Sequence, residues 1–172
     1  MNNSAVVISG FPGIGKSYAQ QNFTKNKSGI FLDSDSSNFS WVINTDGTKV
    51  RNSDFPKNYM EHIQENMNTA DIICVSAHKP VLDALNEYKI PHVLVYPAYE
   101  LKDEYLERYK ERGSSKEFIK SLSENWQLYI SRMINDSCPN KIQLSAGQYL
   151  NNVMDKIFGL MKNANIAVLP RK

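Results

Sequence analysis

The residues with the clearest chemistry lie near the amino terminus. Gly10-Phe11-Pro12-Gly13-Ile14-Gly15-Lys16-Ser17 fits G-x-x-x-x-G-K-[ST] at every fixed position. Glycines let the backbone curl until several N–H groups face one anion. A helix opening at Gly15 aims its positive end at the same place. Lys16 adds a mobile positive charge for terminal phosphates. The Ser17 hydroxyl suits a Mg²⁺ held between phosphate oxygens. The segment 10–17, with Tyr18 beside it, is expected to hold a nucleoside triphosphate, ATP first. The loop leaves open what happens to the phosphate.

Carboxylates follow. Asp33-Ser34-Asp35-Ser36-Ser37 stands directly after an apolar run ending at Leu32. A carboxylate here can hold Mg²⁺ or take a proton from an attacking hydroxyl. An Asp/Ser turn capping a short helix would look the same. The sequence does not separate Asp33 from Asp35, although Asp33 is nearer the strand end and Asp35 reaches further out. The apolar run Ile72-Ile73-Cys74-Val75-Ser76-Ala77-His78 carries no closing Asp, and no Asn-Lys-x-Asp occurs. Both absences argue against a motor ATPase or a GTPase.

Arg108 and Arg112 are four apart and share a helix face, with Lys102 and Lys110 nearby. Arginines brought in by a closing helical hairpin suit a transferring phosphoryl group. A solvated face is the plainer alternative, since Glu104 precedes Arg108 at the favourable spacing. Arg132 is a weaker candidate of the same kind. Phe39 and Trp41 interrupt a polar stretch, where they either stack on an acceptor base or pack the loop onto the core. Arg51 is a candidate for an acceptor phosphate. His62, His78 and His92 show no ligand spacing and read as structural. Ser145-Ala146-Gly147 is a turn against which a donor adenine could lie.

These residues need a frame. Short apolar runs at 5–8, 29–32, 71–76, 92–96 and 141–144 predict five strands. Between them lie helix signals: 16–25, a helix with Pro56 at its first position, another opened by Pro80, 101–112 stopped by Gly113, and 149–161. Ser114 with Glu117 predicts a capping box for a helix whose stripe is Phe118, Leu122, Trp126, Ile130 and Ile134. Near-continuously apolar strands alternating with helices imply an α/β fold with a parallel sheet covered on both faces. Two stretches exceed that alternation. One is an acceptor-side insertion at about 34–68. The other is a helical lid at about 99–136.

The whole chain, residues 1–172, reads as a single domain, with 41% hydrophobic residues and a formal net charge of +2. That balance advertises neither nucleic acid nor an anionic membrane. Cys74 reads as a small buried hydrophobe and Cys138 as a turn residue; neither has a metal-like neighbour. No leader-like or membrane-spanning run is seen. A soluble protein of a reducing compartment is expected: cytoplasmic, or in the host cytoplasm if viral.

Taken in order, the segment 10–17, the Asp33–Ser37 run, Val75-Ser76-Ala77-His78, the segment 105–113 and Asn125-Trp126 resemble the P-loop nucleoside and nucleotide kinases, especially small kinases carried by bacteriophages. The resemblance implies a three-layer α/β/α P-loop NTPase fold. Its five-stranded parallel sheet would have the order 2-3-1-4-5, with a helical lid, ATP and Mg²⁺. Nucleotide monophosphate kinases usually end the third strand in Asp-Gly or Asp-Arg, which is missing here. An Asp after the second strand resembles polynucleotide 5′-hydroxyl kinases and shikimate-type kinases, which act on alcohols.

The expected activity is γ-phosphoryl transfer to a nucleotide-type acceptor, a deoxynucleoside monophosphate first. A hydroxyl on DNA, RNA or a modified base is the alternative, and a nucleotide-dependent regulatory protein is the reading from another class. In the expected mechanism Lys16 and the loop amides hold the donor, Ser17 and Asp33 hold Mg²⁺, and Asp35 orients the acceptor. Arg108 and Arg112 close over the transferring group.

Overall fold

The computed structural model describes residues 4–26 and 29–167. Its centre is a sheet of five parallel strands: β1 (Val6–Gly10), β2 (Phe31–Asp33), β5 (Ile72–Ser76), β6 (His92–Pro97) and β7 (Lys141–Leu144). They lie side by side as β2-β5-β1-β6-β7. The numbering departs from the expected 2-3-1-4-5 because a separate hairpin, β3 (Trp41–Ile43) and β4 (Lys49–Arg51), takes two numbers. Within the sheet alone, the strands fall second, third, first, fourth, fifth.

Alternation along the strands sends neighbouring side chains to opposite faces. Val7, Ile73 and Val75 join a buried cluster with α3 (Lys57–Asn66) and α4 (Lys79–Glu87). Ile8, Ile72 and Cys74 join a larger one. That cluster takes in α1 (Lys16–Asn26), α5 (Lys102–Glu111), α6 (Lys116–Asn135) and α7 (Met154–Ala167). Val7 and Ile8 of β1 and Ile72 to Val75 of β5 are all buried, which is why these strands read as unbroken apolar runs rather than alternating ones.

Several local expectations shift. The cap of α6 is Ser115, whose hydroxyl accepts from the Phe118 N–H at 3.2 Å; Ser114 instead accepts from Arg112 Nε at 2.7 Å. The α6 stripe buries Leu122, Trp126, Ile130 and then Met133, while Ile134 is largely exposed. The reason is arithmetic: 3.6 residues per turn carries a strict every-fourth pattern off the buried face. Pro56 sits one residue before α3, at its cap. Gly113 ends α5 with φ +76°, a left-handed stop.

The stretch expected as loop holds α2 (Ser37–Ser40) and the β3–β4 hairpin, closed around Gly47 at φ +83°. Among the described residues, no helix is long and apolar enough to cross a membrane.

Candidate functional site

Parallel strands place their carboxyl ends along one edge, where ligands of such sheets gather. The register brings Gly10 level with Ser76 and Val95, and Asp33 level with Cys74. A cleft of about 790 Å³ opens over this edge. It is lined by the loop from Gly10 to Tyr18, the run Asp33–Ser36, Ser76, His78, and Arg108, Arg112 and Tyr149.

The loop's conformation is fixed from outside. Tyr109 donates its hydroxyl to the Pro12 carbonyl at 2.7 Å. Arg108 Nη1 donates to the Gly13 carbonyl at 3.1 Å, and the Leu150 N–H donates to the Ile14 carbonyl at 2.7 Å. With three successive carbonyls tied outward, the amides are left facing the other way. Among the described residues, no protein acceptor takes the N–H of Gly13, Gly15, Lys16, Ser17 or Tyr18. Unpaired amides at a helix start are the chemistry of an anion seat. Gly13 (φ +84°) and Gly15 (φ +88°) adopt the left-handed turn this needs. A Cβ on Gly13 would also meet Tyr109 Cε1 at 2.8 Å.

Lys16 Nζ donates to the Gly10 carbonyl at 3.0 Å. Burial lowers its pKa, while the charges of Asp33 and Asp35 pull it back up and that of Arg112 adds to the lowering. Ser17 Oγ donates to Asp33 Oδ2 at 3.1 Å. Two hard oxygens side by side suit a Mg²⁺, an ion that keeps most of its waters and takes one or two protein ligands. Asp35 is exposed, and its Oδ1 accepts from the Ser37 N–H at 2.8 Å. The two aspartates thus have different partners: Asp33 lies with Ser17, and Asp35 with the Ser37 N–H; Glu111 also lines the cleft.

The two arginines expected on a lid also part company. Arg108 is 8% exposed. It pairs with Glu104, donates to Gln148 O at 3.0 Å, and stacks on Tyr149 with 3.8 Å to the ring centroid. Glu104 in turn accepts from the Gly147 N–H. Arg112 is exposed and lines the cleft with its guanidinium against Tyr109 and Phe118. Arg132 is exposed and outside the cleft lining.

In the stretch expected to serve the acceptor, Phe39 packs on Tyr59 and His62 and does not line the cleft. Trp41 and Arg51 are partners across the β3–β4 hairpin, with Arg51 stacked 4.2 Å from the Trp41 ring centroid. The hairpin lies beyond the cleft wall, near enough that Arg51 acts electrostatically on His78.

His78, read from the sequence as structural, stands in the cleft wall. Its Nε2 lies 3.0 Å from Ser36 Oγ. Burial, and then the charges of Lys16 and Arg51, hold its pKa below the usual value. Its signal was position: it follows the third sheet strand, where a carboxylate was sought. Tyr149 was missed for want of any motif.

The sheet, the loop and the helix it opens make this a P-loop kinase fold. Among solved structures, the chain is similar to a gluconokinase from Sinorhizobium meliloti 1021, with a TM-score of 0.55 and 14% identity over 97% of this chain and 98% of that one. No family model and no curated protein matches the sequence.

Proposed function

We propose that this chain is an ATP-dependent kinase that phosphorylates a hydroxyl group. The observation that carries the reading is the division of the carboxylates. Asp33 is committed to Ser17, so Asp35 is left in the same cleft with a free oxygen. A phosphate acceptor is ionised at neutral pH and needs no base; an alcohol gains from one. The similarity to a gluconokinase, by name an alcohol phosphotransferase, agrees.

In this reading the loop amides and Lys16 hold the β- and γ-phosphates, and Arg112 supplies charge over the transferring group. Ser17, with Asp33 behind it, would hold Mg²⁺, which neutralises charge on the phosphate oxygens when bound. Asp35 accepts the hydroxyl proton as the oxygen attacks in line. His78, uncharged at neutral pH and tied to Ser36, offers a neutral hydrogen-bonding wall beside it.

A deoxynucleoside monophosphate acting through its phosphate ranks second. That chemistry calls for cations in the acceptor half of the cleft. Among the described residues, the lining arginines are Arg108 in α5 and Arg112 at its carboxyl-terminal cap.

The test is transfer of label from γ-labelled ATP with Mg²⁺. The acceptor pools are sugars and sugar acids, nucleosides, mononucleotides, and oligonucleotides with free hydroxyl ends. Label in an acid-stable phosphate ester of an alcohol supports the proposal. Label only in nucleoside diphosphates would replace it with the second reading. Slow hydrolysis that no pool stimulates points to a nucleotide-dependent regulatory protein.

A further inference from the structure

The β3–β4 hairpin has no place in the donor chemistry, yet its composition is specific. Its register pairs Trp41 with Arg51 and Ile43 with Lys49, so these four share one face. Arg51 lies 4.2 Å and Lys49 5.1 Å from the Trp41 ring centroid. Among the described residues neither cation has a carboxylate within salt-bridge distance. Ile43 at its tip is 77% exposed. An aromatic ring with two uncompensated cations on it, presented on a solvent-facing ribbon, is complementary to a ligand carrying both a planar ring and an anion.

The hairpin's position ties it to the acceptor. The chain leaves the cleft at Ser36, makes the single turn of α2, and enters β3 at Trp41. Asn52, just past β4, donates to Ser40 O through its backbone at 3.0 Å and to Phe39 O through its side chain at 3.0 Å. Phe39 in turn packs on Tyr59. The ribbon's base is therefore anchored beside Asp35 and His78, and its cationic face extends outward from them.

We propose that this face holds the part of the acceptor remote from the reacting hydroxyl, and that this part is a nucleotide unit. Its base stacks on Trp41, replacing one of the cations. The displaced cation, with its neighbour, then takes the phosphate. The inference rests on the reading of the cleft as a hydroxyl-phosphorylating kinase, and it names the substrate class for that site.

Trp41 and Trp126 are the two tryptophans, and Trp126 is buried in the core. Quenching of the full chain that a Trp41→Phe variant loses therefore reports on the hairpin. The probes are a five-residue single-stranded oligothymidylate with free hydroxyl ends, thymidine 5′-monophosphate, thymidine, and inorganic phosphate. Quenching by either nucleotide probe that exceeds quenching by thymidine or phosphate supports the proposal. The oligonucleotide alone marks a nucleic-acid acceptor, and the monophosphate marks a free one.

Arg51→Ala and Lys49→Ala should each weaken binding by about tenfold. Calorimetric binding of Mg-ATP by the same variants should be unchanged. The absence of quenching by both nucleotide probes, or quenching indifferent to Arg51 and Lys49, overturns the proposal. Loss of Mg-ATP binding by the unmodified chain would instead overturn the kinase reading, and calorimetry scores it separately.

Discussion

Arg108 reaches across 95 residues of chain to donate to the carbonyl of Gly13 at 3.1 Å. The neighbouring Tyr109 does the same for Pro12 at 2.7 Å. A helix expected to swing over the phosphate site is thus fastened to the phosphate loop itself. The two arginines differ in what holds them: Arg108 braces the loop, while Arg112, at the helix's carboxyl-terminal cap, bonds Ser114 and is exposed to the cleft.

That division predicts different kinetics for two similar substitutions. Arg108→Ala leaves Glu104 and two carbonyls without their donor, and should cost about 2–4 kcal/mol of stability. Its KM for ATP should rise as the loop loosens. Arg112→Ala should leave the thermal midpoint nearly unchanged and lower kcat by about a hundredfold. Denaturant melts together with steady-state kinetics check both. Equal destabilisation by the two would dissolve the distinction.

Lys16 has its Nζ on the Gly10 carbonyl, inside the loop it serves. Lys16→Ala should reduce turnover by about 10²–10³ while circular dichroism and the melting curve stay close to the parent. Substantial residual turnover would remove Lys16 from the phosphate site.

The carboxylates should also separate. Asp33→Asn weakens the partner of Ser17, so its defect should show in the Mg²⁺ concentration needed for half-maximal rate. Asp35→Asn leaves that partner alone and should lower kcat at saturating Mg²⁺ by about 10²–10⁴. A magnesium titration of each variant reads the contrast. The assignment fails if the Asp35 variant is rescued by added metal.

His78 and His92 both have pKa values lowered, by burial first, from an ordinary 6.5. The unfolded chain therefore binds these protons more readily than the folded one. The stability from keeping the rings neutral is whole above pH 6.5. It declines as the pH falls toward their folded values. The melting temperature should drop on acidification below that point, and His92→Gln should flatten the slope. His92 is buried on β6 with Nδ1 2.8 Å from Ile90 O, so that variant also measures what the contact is worth.

The sheet and the turn of the 10–17 loop were largely legible because they rest on local signals. Unbroken apolar runs mark strands buried on both faces, and a glycine-lysine-serine spacing encodes the loop's geometry. The roles of Arg108 and Arg112 were not legible. Both sit on one charged helix, and only their contacts with Gly13, Gln148 and Tyr149, all remote in sequence, tell them apart. The hairpin was hidden for a different reason. Trp41–Ile43 and Lys49–Arg51 are three-residue strands, too short for alternation to register. The α6 cap slipped by one residue because Ser114 and Ser115 are adjacent and chemically identical, so geometry alone decides between them.

Fastening α5 to the phosphate loop has a consequence for the working cycle. A wall bolted at two points is a mould, ready before anything arrives, and it gives the donor little to rearrange. The opposite side of the cleft is built differently, from the single turn of α2 and the β3–β4 ribbon that follow β2 at the sheet's edge. On the kinase reading proposed above, it would then be the acceptor, and not the donor, that completes the site.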